Sequence, residues 1–158
     1  MMFSLSSFAQ ISEGGNPLSF SKDYSKSQQK VADISTFMLP LINNETEIQR
    51  AEQIKKECSS CKKEYYGTGL DVDIDFKNNA AHQELDDGAK LWLYKFKSET
   101  AYSLQFYFDK FYLPSGAKLF FYNSDKSMLL GAFTDKNNTA DKKFLTQPIK
   151  GNEITIEY

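Results

Sequence analysis

Hydrophobic and polar positions alternate with a period of two through most of the second half of the chain. From Lys90 to Tyr122, three dense aromatic and aliphatic runs are separated by two short polar breaks. In the first run Trp92, Tyr94 and Phe96 alternate with Leu91, Leu93 and Lys95. In the second, Leu104, Phe106 and Phe108 alternate with Ser103, Gln105, Tyr107 and Asp109. In the third, Leu119 and Phe121 alternate with Lys118, Phe120 and Tyr122. Such a period, rich in aromatic side chains, predicts strands rather than helices. The breaks carry turn chemistry: Leu113-Pro114-Ser115-Gly116 sets Pro second and Gly fourth, as a type I turn prefers, and Ser98-Glu99-Thr100-Ala101 is a short polar connection. The three runs are expected to form consecutive antiparallel strands, a meander, with Trp92, Leu104, Phe106 and Leu119 deeply buried.

The same alternation extends to either side. Leu70, Val72, Ile74 and Phe76 share one face of a predicted strand and Asp71, Asp73 and Asp75 the other, followed by a loop from Asn78 to the Asp86-Asp87-Gly88 turn signal. After Tyr122, strands are predicted over Met128 to Thr134, Lys143 to Gln147 and Glu153 to Tyr158, broken at Asn123 to Ser127, Lys136-Asn137-Asn138 and Pro148 to Gly151. Short strands at this spacing predict an all-β fold, a two-sheet antiparallel β-sandwich of jelly-roll type, spanning 67–158.

Upstream the pattern changes. Residues 10–66 read as an extended arm with one short helix. Gln10 to Lys30 is rich in Gly, Ser and Asn; the apolar run Ile34 to Ile42 contains Pro40 and suits an edge strand or an arm. A helix is predicted from Glu45 to Glu57, capped by Asn44 with Glu47 three positions on, acidic residues early and lysines late. Its apolar stripe, Ile48, Ala51 and Ile54, is thin. Residues 1–9, apolar and Ser-rich with Ser7-Phe8-Ala9 before Gln10, read as the trailing end of a signal peptide, although no basic residue precedes Lys22. That places the protein outside the cytoplasm, secreted or periplasmic. The chain stops on a strand, as a domain cut from something longer would.

Composition narrows the function classes. The 158 residues suffice for one domain with a proper core. A net charge of −2 gives no electrostatic case for nucleic acid or an anionic membrane, and no segment is long and apolar enough to span one. A monomer is expected. Catalytic chemistry finds little purchase. The one histidine, His82, falls in the polar loop, and there is no G-x-S-x-G elbow, P-loop or G-x-G-x-x-G. No cofactor is expected. Asp71, Asp73 and Asp75 resemble the opening of a calcium loop, but Phe76 and His82 stand where it needs Gly and Glu, so no tight metal site is expected. Cys58 and Cys61, spaced C-x-x-C among lysines, are a candidate local disulfide in an exported protein; inert thiols and redox or metal work are the alternatives.

The order of motifs closely resembles the N-terminal domain of secreted bacterial lysyl endopeptidase-like proteases. The resemblance is carried by Leu91 to Ser98, Ala101-Tyr102-Ser103-Leu104, Phe108-Asp109-Lys110-Phe111 and Leu113-Pro114-x-Gly116-Ala117-Lys118-Leu119-Phe120-Phe121-Tyr122-Asn123. Leu130-Gly131-Ala132-Phe133-Thr134, Thr146-x-Pro148-Ile149-x-Gly151 and Glu153 to Tyr158 continue it. Gly14-Gly15-x-Pro17-x-Ser19-Phe20 is similar to that family's start of the mature proenzyme. The chain departs from the family at Ala80-Ala81-His82, where Gly-x-Trp is frequent, and in its cysteine pair. The resemblance implies a pro-domain without catalysis of its own, whose partner is the cognate trypsin-like protease domain and which aids folding, latency or export. Phe120 and Tyr122, if on the outer sheet face, are the candidate partner surface; burial between the sheets is the reading favoured for them. The competing class is a binding or adhesion module with an exposed aromatic patch.

Overall fold

A computed structural model of the chain describes residues 10–21, 24, 34–57, 66–85 and 87–158. Among these residues the period-two runs become ten strands: β1 (Thr36–Met38), β2 (Ala81–Glu84), β3 (Lys90–Lys97), β4 (Ser103–Leu104), β5 (Tyr107–Phe108), β6 (Leu119–Asn123), β7 (Leu129–Phe133), β8 (Phe144–Leu145), β9 (Ile149–Lys150) and β10 (Glu153–Glu157). Two helices are described, α1 (Asn44–Glu57) and the single turn α2 (Phe76–Asn79). Among the described residues the fold is thus mostly β-sheet with one long helix. No described helix is long and apolar enough to cross a membrane.

The strands form one six-stranded sheet, ordered β1-β3-β10-β6-β7 with β2 beside β1 on the same edge of β3, and two two-stranded ribbons, β4-β9 and β5-β8. The expected meander is therefore not formed. The last strand, β10, inserts between the first and third apolar runs, antiparallel to both. The middle run leaves the sheet altogether to pair with β8 and β9. Periodicity fixes which residues share a face but not which strand lies alongside, and here Thr146 decides it. Its Oγ1 accepts the Phe106 N–H, its own N–H donates to the Phe106 carbonyl, and its carbonyl accepts from Gln105 Nε2. Nor is the large sheet purely antiparallel, since β1 runs parallel to β3.

Register assigns the faces. Opposite residues share a face, so Tyr94, Phe96, Ile154, Ile156 and Phe121 lie together. Onto them pack Phe106 and Phe108 from the ribbon segments: Phe106 lies 5.2 Å from Phe96 and 5.6 Å from Phe121, and Phe108 6.0 Å from Phe121. Phe111 stacks on Phe144 at 4.3 Å, and Phe144 meets Phe133 edge-on at 4.8 Å. This aromatic layer is the core. Leu119 is buried in it as expected, but Leu104, on a two-residue ribbon strand, and Phe106, in the link between β4 and β5, are only half-buried. Trp92 is half-buried too, at the end of the sheet beside Tyr158.

Several local expectations shift. Residues 66–75 carry no regular structure; the Leu70 to Phe76 run ends instead in α2, where Asp75 caps the helix by accepting from the Asn78 N–H at 3.3 Å and Nδ2 at 2.9 Å. The predicted loop from Asn78 contains a true strand, β2, paired with β3, so His82 lies on a strand. Its closing turn is held by the Gly88 N–H on the Leu85 carbonyl. The turn after Leu113 is displaced by one residue. Ala117 N–H donates to Pro114 O, which puts Gly116 (φ 84°) at the third position, where a positive φ demands glycine. The cap of α1 is Asn43, whose Oδ1 accepts the Thr46 N–H, while Asn44 donates to the Thr100 carbonyl at 2.7 Å. The thin stripe of α1 stays out of the core, with Ile48 and Ile54 exposed.

Phe121, fully buried and touching Phe106, Phe108 and Phe133, is the centre of this packing. Phe121→Ala is expected to cost about 3–5 kcal/mol in urea unfolding, and Tyr112→Ala, on the surface, no more than about 0.5 kcal/mol. Equal losses would contradict the assignment of the core.

Candidate functional site

The opposite face of the large sheet is where Phe120 and Tyr122 lie, together with Thr155 and Glu157. All four are buried. Neither aromatic side chain is therefore offered to an outside partner in this conformation, and an arm from the N-terminal part of the chain lies against Tyr122.

The arm first adds to the free edge of β7. Glu13 N–H donates to Ala132 O at 2.9 Å, Ala132 N–H returns a bond to Gly14 O at 3.3 Å, and Ser12 Oγ donates to Gly131 O at 2.5 Å. Gly131 (φ 110°) is required here: a Cβ at this position would run into the Leu119 carbonyl. At the surface, the Glu13 carboxylate pairs with Lys136 at 2.7 Å, and that hydrogen bond holds the Glu13 carboxyl below its usual range. Beyond Gly15, Pro17 is fully buried and opens a 3₁₀ turn, Leu18–Phe20.

That turn delivers Ser19 and Phe20 onto the sheet. Ser19 Oγ donates to Glu157 Oε2, its N–H donates to Glu157 Oε1 at 3.3 Å, and the Tyr122 hydroxyl lies 2.9 Å from Ser19 Oγ and 3.3 Å from Glu157 Oε2. Phe20 meets the Tyr122 ring edge-on at 4.7 Å, with Lys126 Nζ 4.3 Å from the Phe20 ring centre. Glu157 is only 2 % exposed, and its cross-strand neighbours are Leu93 and Phe120. Burial holds its carboxyl above the usual range even though the Ser19 bonds pull it down. Burial likewise pushes the Tyr122 hydroxyl up, and the neighbouring Glu157 carboxylate adds to this.

A second feature is open. At the β2 end of the sheet, a groove of about 350 Å³ is lined by Lys77, His82, Gln83, Glu84, Lys90 and Trp92. His82 stacks on Trp92 at 6.3 Å, Tyr158 packs against Trp92 at 5.3 Å, and Lys77 Nζ lies within 6 Å of both the Trp92 and Tyr158 rings. An aromatic platform with charges of both signs at its rim suits stacking against a flat polar ligand. A third feature is on the outside of the β5-β8 ribbon. Tyr107 and Leu145 face each other there, 59 % and 46 % exposed, while Phe108 and Phe144 enter the core from the other side. Tyr112, between buried Phe111 and Leu113, is 69 % exposed.

The remaining sequence candidates do not assemble. Asp71 and Asp73 are exposed and Asp75 is spent on its helix cap; among the described residues no three His, Cys, Asp or Glu side chains are arranged to hold a metal ion. Cys58 and Cys61 lie outside the described residues. Glu157 carried no functional signal of its own in the sequence, because a glutamate alternating with isoleucines resembles the wet face of a strand, and Ser19 stood out only within the Gly14 to Phe20 motif. No protein-family model matches the chain, and no solved structure matches it either.

The Glu157 carboxyl gives a pH test with a defined sign. Its folded form holds a proton more tightly than the unfolded chain does. Its favourable contribution is therefore complete below the ordinary glutamate value and is lost as pH rises through the raised folded value. Glu157→Gln removes this titration. Unfolding free energies measured from about pH 4 to about pH 8 should show wild type losing stability relative to the variant as pH increases. A difference that stays flat, or grows in favour of wild type, would contradict the buried carboxylate.

Proposed function

We propose that this domain acts by binding, as the non-catalytic pro-domain of a secreted lysyl endopeptidase-like serine protease. On this reading it is monomeric, neither nucleic acid nor membrane is its target, and its two-layer packing is a jelly-roll-like sandwich. The motif order from Leu91 to Tyr158 supports the family reading. His82 stacks on Trp92, an arrangement that suits a binding surface. The observation that carries the proposal is the outer side of the β5-β8 ribbon. Tyr107, Tyr112 and Leu145 are large and exposed while their immediate neighbours fill the core. Tyrosine contributes large contact area at small entropic cost and is enriched where interfaces concentrate their energy. The occupant proposed for this surface is the cognate trypsin-like protease domain, and the effect on it is limited by the difference in affinity between its folded and incompletely folded states.

The test is refolding of that protease domain with and without this domain in trans, followed by assay of active-enzyme yield and of inhibition. Yield or latency should change with wild type, and Tyr107→Ser with Tyr112→Ser should remove the effect by weakening binding about 2 kcal/mol or more. Unchanged yield and activity at saturating concentration would reject the pro-domain reading. The Trp92 platform favours a second reading, a secreted adhesion module gripping a polymer. Retardation in gels containing soluble polysaccharide, lost in Trp92→Ala, would support it; equal migration of both proteins would dismiss it.

A further inference from the structure

The arm over β10 has the features of a bound peptide more than those of a core element. It approaches by strand addition, the commonest way a sheet edge receives an extended ligand, and then places individual side chains into dedicated positions. Backbone bonds at Glu13 and Gly14 set the register on β7. Pro17 is enclosed, Ser19 meets a buried carboxylate, and Phe20 lies between Tyr122 and Lys126. Within the spacing Gly-Gly-x-Pro-x-Ser-Phe, the two glycines take positive φ, and Pro17, Ser19 and Phe20 each have their own surroundings on the sheet.

Glu157 is the informative residue. It stands on a central strand, opposite Leu93 and Phe120, where a buried acid is costly and an apolar side chain would pack at no such cost. Tyr122 gives it one bond from within the sheet at 3.3 Å, and the backbone N–H and hydroxyl of Ser19 supply two more. A carboxylate whose donors come from the arm serves recognition of that arm. A polar group buried in this way rejects any segment lacking the matching donor, because the mismatch leaves the charge unpaired. By contrast the arm itself is thinly anchored: of residues 10–20 only Pro17 is fully buried, and the Glu13–Lys136 pair is at the surface, where such pairs contribute little.

We propose that the cradle built by β6, β7 and β10 is a peptide-binding site for Gly-Gly-x-Pro-x-Ser-aromatic segments, filled here by the chain's own Ser12–Phe20 arm as an exchangeable ligand. The site is distinct from the tyrosine surface of β5-β8 and from the Trp92 groove, and it stands whether or not the domain serves a protease.

The experiment uses the full chain and a fluorescein-labelled peptide covering Gln10 to Ser21, followed by fluorescence anisotropy. In the full-length Ser19→Ala, Phe20→Ala double variant, the weakened internal arm yields the cradle, and the peptide should bind saturably. Wild type, its cradle already filled, should bind at least about tenfold more weakly. Placing the same two substitutions in the peptide, or Glu157→Gln in the double-variant protein, should reduce binding by a similar factor. Three results would overturn the proposal: a cooperatively folded double variant that takes up no peptide, equal binding of a scrambled peptide, or loss of cooperative unfolding in the double variant, which would make the arm part of the core.

Discussion

Strand β10 is hydrogen-bonded on both edges and covered on both faces, and most of the domain is placed by what it must cover there. Ile154, Thr155, Ile156 and Glu157 are all buried. A strand so enclosed needs two different covers. The isoleucine face is closed by the aromatic layer from the β4-β9 and β5-β8 ribbons, where dispersion and ring packing do the work. The threonine and glutamate face carries polar atoms that must be satisfied, and the arm brings the donors for Glu157. The chemistry of one five-residue strand therefore explains why one side of the sheet is sealed by phenylalanines and the other by a Pro-x-Ser-Phe turn.

This division separates stability from recognition. The phenylalanine layer has no exposed polar chemistry and reads as the source of folding energy. The surfaces proposed for partners are peripheral to it: Tyr107 and Leu145 on the outer side of β5-β8 with exposed Tyr112 further along the chain, the Trp92 platform beside β2, and the cradle under the arm. Each offers shape and contact area, which is the common ground of the proposed pro-domain and adhesion readings. What distinguishes the cradle is that its occupant is already visible.

The strands β3, β6, β7 and β10 were legible from the apolar runs, as were the helix at Asn44–Glu57 and the turns near Gly88 and Gly116. Their neighbours were not. Nothing in Glu153-Ile154-Thr155-Ile156-Glu157 announces that it will divide the first apolar run from the third, because pairing depends on what the whole chain can cover and not on period. The Leu70 to Phe76 run misled for a related reason. It has strand periodicity without a strand edge to join, and the Asp75 side chain supplies a competing local bond that starts α2 instead. The strand at Ala81–Glu84 was hidden by its polar composition. Of the functional features, Phe120 and Tyr122 were marked by sequence, and both are buried, Tyr122 against the arm. Ser19 was marked only as part of a motif, since its partner lies 138 residues away.

The central claim is that the arm is a ligand of the sheet and β10 its structural axis, and native-state hydrogen exchange tests this directly. The amides of Ile154 and Ile156 should exchange only through global unfolding, whereas the Glu13 amide bonded to Ala132 and the Ser19 amide bonded to Glu157 should exchange through a smaller opening that leaves β10 protected. If the arm amides and the β10 amides exchange with the same opening free energy across denaturant concentrations, the arm is an inseparable part of the fold and the account fails.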